Sequence, residues 1–221
     1  MSQILLVRHG QASWGAEDYD MLSPLGERQS HALGAALAAR GVRPELVVRG
    51  AMRRHRQTAE HTAAGGGWDA EFVEDDGWNE FDHVQMLSMH PVSYGEGEEM
   101  SRAEFQRWFE GATLRWTGGA HDEDYDESFT AFGARVDAAL RRTAERLGLD
   151  GTAVVFTSGG PISWTAASLL GGSADIWVQL NPVTVNSSVS KVVVGRRGMT
   201  MVSFNEHSHL EAAGDGFITY R

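Results

Sequence analysis

Short apolar runs alternate with helix-like stretches along most of the chain, and this alternation restricts the possible folds more than any other sequence feature. The apolar runs have the length of buried strands and occupy residues 4–7, 46–48, 72–73 and 153–156. The stretches with helical spacing occupy residues 23–40, 52–64, 101–116, 129–147 and 160–170. Strands that alternate with helices predict a three-layer α/β/α fold around a mostly parallel central sheet.

Local signals support several of these boundaries. Ser23-Pro24 is typical of a helix start, with a capping hydroxyl and a proline in the first turn, and Gly41 is typical of a helix end. Near the carboxyl terminus, residues 188–194 and 199–204 flank a glycine-containing turn, which predicts a hairpin.

Composition narrows the functional classes. The 221 residues include 19 basic and 30 acidic side chains, for a net charge of −11. Such an acidic excess argues against nucleic-acid binding, which needs a basic face. The absence of cysteine excludes disulfides, thiolate metal sites and cysteine catalysis.

The length and the apolar pattern indicate how the chain is organised. The length suits a single domain over residues 1–221, in which the tryptophan-rich and acidic segment at about 77–127 is interpreted as a cap or insertion. No apolar stretch approaches the ~18 residues of a membrane span, and the amino terminus lacks a signal-peptide pattern. We therefore expect a cytoplasmic protein without membrane partners.

The first strand ends in a sequence suited to anion chemistry. Ligand sites in α/β sheets form beyond the carboxyl ends of the strands, where this chain carries Arg8, His9 and Gly10. An imidazole is a nucleophile near neutral pH, and a guanidinium binds phosphate oxygens in a bidentate fork. Alone, however, the tripeptide is also compatible with an ordinary surface histidine.

Further motifs follow this one in order along the chain. The sequence reads LLVRHGQ at 5–11, LSPLGERQ at 22–29, RHRQTA at 54–59, WNE at 78–80 and VVFTSGG at 154–160. This series resembles the histidine phosphatase superfamily, also called the phosphoglycerate mutase-like family. The resemblance extends over nearly the whole chain and implies the same α/β/α fold.

The resemblance also implies site residues. His9 would be the nucleophile that forms a phosphohistidine, Arg8 and Arg54 would bind the phosphoryl group, and Glu80 would exchange protons with the leaving group and with water. Neighbouring side chains offer alternatives to Arg54 and Glu80. These are Arg53 and Arg56 for the arginine, and Asp75, Asp76 and Asp82 for the carboxylate.

One departure from the family pattern concerns its second catalytic histidine, which falls at Ser158. Serine still offers a donor, and Ser158 and Gly159 remain candidates for phosphate binding because backbone N–H groups at a helix start attract anions. Loss of an oriented donor commonly lowers rates by ~10²–10³. Five histidines are candidates for replacing it, and His83 is favoured because a helical turn would place it beside Glu80. The candidates are His55, His83, His90, His207 and His209.

A second departure lies in the loop after His9. The family often has asparagine where this chain has Gly15, so Gln11 or Ser13 is expected to contribute a polar group to the phosphate site instead.

These observations lead to three functional hypotheses. The first is a phosphomonoester hydrolase that uses His9, no metal and no cofactor, and that acts on a small phosphorylated substrate. The alternatives are a phosphoglycerate mutase-type phosphotransferase and a phosphate-ligand binding protein with little turnover. The sequence carries no Walker or dinucleotide motif and no zinc-ligand spacing. It leaves the oligomeric state open.

Overall fold

The computed structural model describes residues 1–13, 20–92 and 100–220, without the side chain of Arg102. Within these ranges six strands form one sheet. The strands are β1 (Ser2–Arg8), β2 (Leu46–Arg49), β3 (Phe72–Glu74), β4 (Thr152–Thr157), β5 (Val189–Gly195) and β6 (Gly198–Glu206).

The sheet has the order β3-β2-β4-β1-β5-β6. The first four strands in this order are parallel, whereas β5 and β6 form the antiparallel hairpin that the sequence predicts. The register of the central pair places Arg8 opposite Thr157. The carboxyl ends of β1 and β4 therefore meet at one edge of the sheet.

Helices join most of these strands. They are α1 (Pro24–Ala39), α2 (Arg53–Gly66), α3 (His83–Ser88), α4 (Arg102–Thr117), α5 (Phe129–Glu145), α6 (Gly159–Leu169), α7 (Ala174–Leu180) and α8 (Ser208–Ala213). The five longest coincide with the helices predicted from periodicity, to within two residues at each end. Helices α3, α7 and α8 were not predicted, because six or seven residues do not show a repeating apolar stripe.

The central strands are buried on both faces. All four residues from Ile4 to Val7 are at most 4% exposed, as expected for a strand with helices packed on each side. On one face, Leu5, Val7 and Phe156 pack in a common core with Leu33 of α1 and Ala59 of α2. These observations confirm the predicted α/β fold with a mostly parallel sheet.

The ends of α1 follow the sequence signals. The hydroxyl of Ser23 accepts a hydrogen bond from the N–H of Gly26 at 3.0 Å, and Pro24 occupies the first turn. After the helix, Gly41 has a φ of +76°, a left-handed conformation that favours glycine.

The chain divides into two compact units, Met1–Glu80 with Val136–Arg221 and Phe81–Arg135. The second unit contains α3, α4 and an aromatic cluster in which Phe81 stacks on Trp116 at 4.8 Å between ring centroids. Phe129 and Phe132 complete this cluster. The interpretation of residues 77–127 as a cap stays a prediction. None of the described helices has the length and hydropathy of a membrane span.

Helices α1 and α2 approach each other closely through glycines. A Cβ atom at Gly34 would overlap the carbonyl oxygen of Thr62, and one at Gly65 would overlap that of His31. Because the overlapping atoms belong to the backbone, no side-chain rotation could relieve the contact.

We therefore expect Gly34→Ala to destabilise the protein. Overpacking of this kind costs ~1–3 kcal/mol, which outweighs the gain of up to ~1 kcal/mol in helix propensity. Urea denaturation measures the change, and Ala35→Leu is the control because it adds bulk at the next, exposed position. An unchanged free energy of unfolding in Gly34→Ala would contradict the close packing of the two helices.

Candidate functional site

The sequence-predicted residues come together at the carboxyl edge of the sheet. Arg8 ends β1 and is followed by His9, whereas Thr157 ends β4 and is followed by Ser158 and α6. The next strand along, β2, leads through Gly50 to the start of α2, which carries Arg54. The parallel pairing of the three strands thus collects side chains from three distant parts of the sequence.

His9 is held in one position and one tautomer. His9 is only 6% exposed. Its backbone carbonyl accepts a hydrogen bond from Asn186 Nδ2 at 3.1 Å. The imidazole Nδ1 lies 2.8 Å from the carbonyl oxygen of Gly10. A carbonyl can only accept, so Nδ1 carries the proton and donates it. In the neutral ring, Nε2 therefore keeps its lone pair.

The environment of His9 keeps this ring neutral. Burial is the largest cause that holds the pKa of His9 well below its ordinary value, followed by the positive charges of Arg54 and Arg8 and by the neighbouring His55. At neutral pH, His9 is thus an uncharged base near two guanidinium groups.

Arg54 is the buried residue among the three candidate arginines of α2. It is 7% exposed, whereas Arg53 and Arg56 lie on the exposed side of α2. Arg54 Nη1 donates to Asp20 Oδ1 at 2.6 Å, and Asp20 Oδ2 also accepts from the backbone N–H of Arg53 at 2.7 Å. Sequence reasoning missed Asp20, which lies 34 residues from Arg54 and in none of the recognised motifs.

Arg8 is held by a backbone carbonyl group. Its guanidinium donates through Nη1 to the carbonyl oxygen of Thr184. A Cβ at Gly159 would lie 3.7 Å from Arg8 Nε, so the first turn of α6 runs close to this guanidinium.

Glu80 accepts a hydrogen bond from the start of α6. Its Oε2 accepts from the N–H of Gly160 at 3.1 Å, and the residue is partly buried, as the predicted role requires. The alternative carboxylates have other contacts. Asp75 binds Arg142 at 2.7 Å, Asp76 accepts from Asn79 at 3.4 Å, and Asp82 caps α3.

Gln11 and Ser13 are bonded within their own loop. Gln11 Oε1 accepts from the hydroxyl of Ser23 at 2.8 Å, and the hydroxyl of Ser13 donates to the carbonyl oxygen of Leu22 at 3.0 Å. Their predicted role in phosphate binding stays a prediction. Gly15 lies outside the described residues.

Among the five candidate histidines, His55 contacts the residue that replaces the family histidine. Its Nε2 lies 2.7 Å from Ser158 Oγ, both residues are fully buried, and the imidazole rings of His55 and His9 lie 5.9 Å apart. Burial, followed by Arg54 and Arg49, holds the pKa of His55 well below its ordinary value. The available sequence signal was the position of His55 directly after Arg54 in the RHRQTA motif.

The other candidates lie elsewhere. The favoured His83 is the first residue of α3 in the second unit, and this helix begins after Glu80 because Asp82 caps it, so the expected shared helical face does not form. His90 donates its backbone N–H to the carbonyl oxygen of Leu87. His207 Nδ1 lies 2.6 Å from the carbonyl oxygen of Asn205. His209 is bonded to the backbone of Ser187.

Across the described parts of the chain, no group of three or more His, Asp or Glu side chains is arranged to hold a metal ion. The polar groups described above instead combine a neutral imidazole with two guanidinium groups, a carboxylate and the start of a helix. Chemically, such an arrangement suits the binding and transfer of a phosphoryl group.

The two buried histidines predict that stability falls in mild acid. Both fold in the neutral form, but the unfolded chain binds protons near pH ~6.5, so the free energy of unfolding decreases as pH falls below that value. Each histidine contributes a slope of up to about 1.4 kcal/mol per pH unit.

Urea denaturation at several pH values tests this prediction. His55→Gln should lose one such contribution to the slope between about pH 6.5 and pH 5.5. Thr62→Ala, at a buried position of α2 without a titrating group, should keep the wild-type slope. Equal slopes in wild type and His55→Gln would contradict the neutral, buried state of His55.

Comparisons with known proteins show the family and the fold of the chain. The sequence profile of the histidine phosphatase superfamily (branch 1) matches residues 4–207. A 2,3-bisphosphoglycerate-dependent phosphoglycerate mutase from Thermobifida fusca is 39% identical over 66 residues, which are 27% of this chain and 26% of that enzyme. The matched region thus spans about a quarter of that curated relative.

Two of the solved structures with a similar fold are phosphatases. A phosphoserine phosphatase mutant from Entamoeba histolytica, solved with phosphoserine, has a TM-score of 0.70 at 17% identity, over 95% of this chain and 100% of that one. A mycobacterial glucosyl-3-phosphoglycerate phosphatase has a TM-score of 0.65 at 22% identity, over 92% and 98% of the two chains. At these identities the likeness shows a common fold.

Proposed function

The chain belongs to the histidine phosphatase superfamily, and from this premise we propose that it hydrolyses phosphomonoesters through a phosphohistidine intermediate on His9. The observation that carries the proposal is the tautomer of His9. Its Nδ1–H donates to the carbonyl oxygen of Gly10, which leaves the Nε2 lone pair available. The positive charges of Arg8 and Arg54 help to keep the ring neutral. A neutral imidazole held in this way is a preorganised nucleophile.

The first step transfers the phosphoryl group to the protein. His9 Nε2 attacks phosphorus, the bond from phosphorus to the ester oxygen breaks, and protonated Glu80 gives its proton to the leaving oxygen. Arg8, Arg54 and the N–H groups at the start of α6 stabilise the negative charge on the phosphoryl oxygens.

The second step releases phosphate. The Glu80 carboxylate takes a proton from a water molecule, whose oxygen attacks phosphorus as the bond to His9 Nε2 breaks. Inorganic phosphate leaves, and both His9 and Glu80 return to their starting protonation states. The cycle consumes one water molecule and needs no redox or metal partner.

The charge distribution favours a small substrate. The chain carries a net charge of −11, which repels extended polyanions. At physiological salt, however, charges act over only ~8 Å, so the local arginines determine the binding of one phosphate group. Phosphoserine and other phosphorylated small molecules are suitable probes, because similar structures are phosphatases of such compounds.

A phosphoglycerate mutase-type transferase is the second candidate, because part of the chain is similar to such a mutase. A mutase must keep water away from the phosphohistidine and return the phosphoryl group to a bound acid. Replacement of the second family histidine by Ser158 favours hydrolysis over that more demanding transfer. Exchange of the phosphoryl group between two phosphoglycerates, without release of phosphate, would identify the mutase.

The phosphohistidine is directly testable. Incubation with p-nitrophenyl phosphate should release phosphate and, after rapid quenching, yield a phosphoprotein that is labile in acid and stable in base. His9→Ala should lose both by at least ~10³-fold, since the covalent route is removed. His31→Ala, at an exposed position of α1, should behave as wild type.

Two results would contradict this function. Hydrolysis that survives in His9→Ala would exclude His9 as the nucleophile. Binding of phosphate or vanadate without any turnover would favour the third hypothesis, a ligand-binding protein.

Glu80→Gln tests the proton transfer to the leaving group. We expect the phosphorylation rate to fall by ~10²–10⁴ with an alkyl phosphate such as phosphoserine, because an alkoxide needs the proton. With p-nitrophenyl phosphate the loss should be much smaller, since nitrophenolate leaves without protonation. Rapid-quench measurement of the phosphoprotein gives both rates, and the exposed Asp76→Asn is the control. Equal losses with both substrates would exclude Glu80 as the acid.

A further inference from the structure

We propose that His55 orients the hydroxyl of Ser158 as the hydrogen-bond donor to the transferring phosphoryl group. The proposal rests on the proposed function and assigns distinct roles to the two residues. Ser158 is fully buried in the free protein and would meet the phosphoryl group once bound substrate displaces the atoms that cover it. His55 is a positioning residue that acts through Ser158.

The contact between the two side chains is short and enclosed. His55 Nε2 lies 2.7 Å from Ser158 Oγ, and both residues have no exposed surface. The ring of His55 is tilted by 36° to that of His9 at a centroid distance of 5.9 Å. The pair therefore lies beside the nucleophile, at the amino-terminal end of α6.

The direction of this hydrogen bond depends on which imidazole nitrogen carries the proton. In the described part of the chain, no hydrogen-bond partner contacts His55 Nδ1, which is buried. A proton on Nδ1 would be a buried, unpaired N–H, which proteins avoid more strictly than an unpaired acceptor. Among the described residues, either tautomer leaves one buried donor without an acceptor, Nδ1–H in one case and the hydroxyl of Ser158 in the other. A bound phosphoryl oxygen would accept from that hydroxyl, so in the proposed complex the ring carries its proton on Nε2 and donates it to Ser158 Oγ.

This arrangement leaves the hydroxyl proton of Ser158 available. Ser158 precedes α6 in the N-cap position, yet its side chain makes no capping hydrogen bond. With one lone pair of Oγ engaged by His55, the O–H is oriented away from that ring. Its position at the start of α6 is where N–H groups would also bind an anion.

Gly50 leaves the space that the ring of His55 occupies. A Cβ at Gly50 would overlap His55 Nδ1, so a larger residue at position 50 would displace the ring. The charged groups that face the ring are Arg54 and Arg49, and both favour its neutral form. His9, itself neutral, faces it from the position directly after β1.

A Ser–His nucleophilic pair is the competing interpretation of the same contact. In that case Ser158 Oγ would attack phosphorus while His55 Nε2 accepted its proton. Such a role needs a lone pair on Nε2, whereas the proposed donor pair needs the proton there. The two interpretations predict different intermediates, a phosphohistidine and a phosphoserine.

Single and double substitutions test the proposed pair. His55→Ala and Ser158→Ala should each lower kcat for p-nitrophenyl phosphate by ~10–10²-fold with little change in KM, because the donor acts on the transition state. The double variant should lose no more than the worse single variant, because the residues act as one unit. His55→Gln keeps an N–H at a similar reach and should recover part of the loss.

Moving the histidine from position 55 to position 158 gives the most specific test. Ser158→His alone should be slower than wild type, because His55 already fills the adjacent buried space. The combined variant His55→Ala/Ser158→His vacates that space and returns a histidine to position 158, so its kcat should exceed that of His55→Ala. Thr62→Ala, at another buried position of α2, is the control for lost packing and should keep the wild-type kcat.

The outcomes separate this inference from the proposed function. Wild-type kcat in both His55→Ala and His55→Gln, or additive losses in the double variant, would each overturn the donor pair while the phosphohistidine route stands. A base-labile phosphoserine would overturn both the donor pair and the assignment of His9 as the nucleophile. If the wild type does not hydrolyse phosphate esters, the proposed function fails, and vanadate affinity still tests the pair. His55→Ala should then weaken vanadate binding by at least ~10-fold, and unchanged binding would overturn the inference.

Discussion

The parallel pairing of β1 with β4 is the constraint on which the rest of the site depends. Because Arg8 lies opposite Thr157 in this register, the next residues of the two strands, His9 and Ser158, emerge at the same edge of the sheet. The backbone N–H of His9 donates to the carbonyl oxygen of Thr157 at 2.9 Å, which continues the pairing one residue past the strand. Residues about 150 positions apart in the sequence are thereby held within a few ångströms.

Helix starts then supply the remaining polar groups. Arg54 and His55 lie in the first turn of α2, directly beyond β2, and Gly159 and Gly160 begin α6 beyond β4. The backbone donors at the start of α6 are occupied in part by Glu80, which accepts from Gly160. In the proposed mechanism, Glu80 and a phosphate group would therefore share the same electropositive helix end.

Much of the fold follows from the sequence, because strands of four apolar residues and helices of four turns leave a periodic signal. The short helices α3, α7 and α8 leave none, and their positions depend on tertiary contacts. At the site, Arg8, His9, Arg54 and Glu80 could be put forward as candidates through motifs. The bond between His55 and Ser158 could not, since it joins positions 103 residues apart and depends on which face of α2 is buried. Nor could the pairing of Asp20 with Arg54.

The hydrogen bond from His9 Nδ1 to the Gly10 carbonyl has a consequence for the reactivity of the proposed intermediate. Once Nε2 is bonded to phosphorus and Nδ1 still holds its proton, the ring bears a positive charge. Burial and the adjacent guanidinium groups disfavour that charge, and the carbonyl oxygen is the neighbour that stabilises it. The protein would thus form an energetic phosphoryl donor rather than a stable ester. Access of an acceptor, water or a bound alcohol, would then decide which product is released.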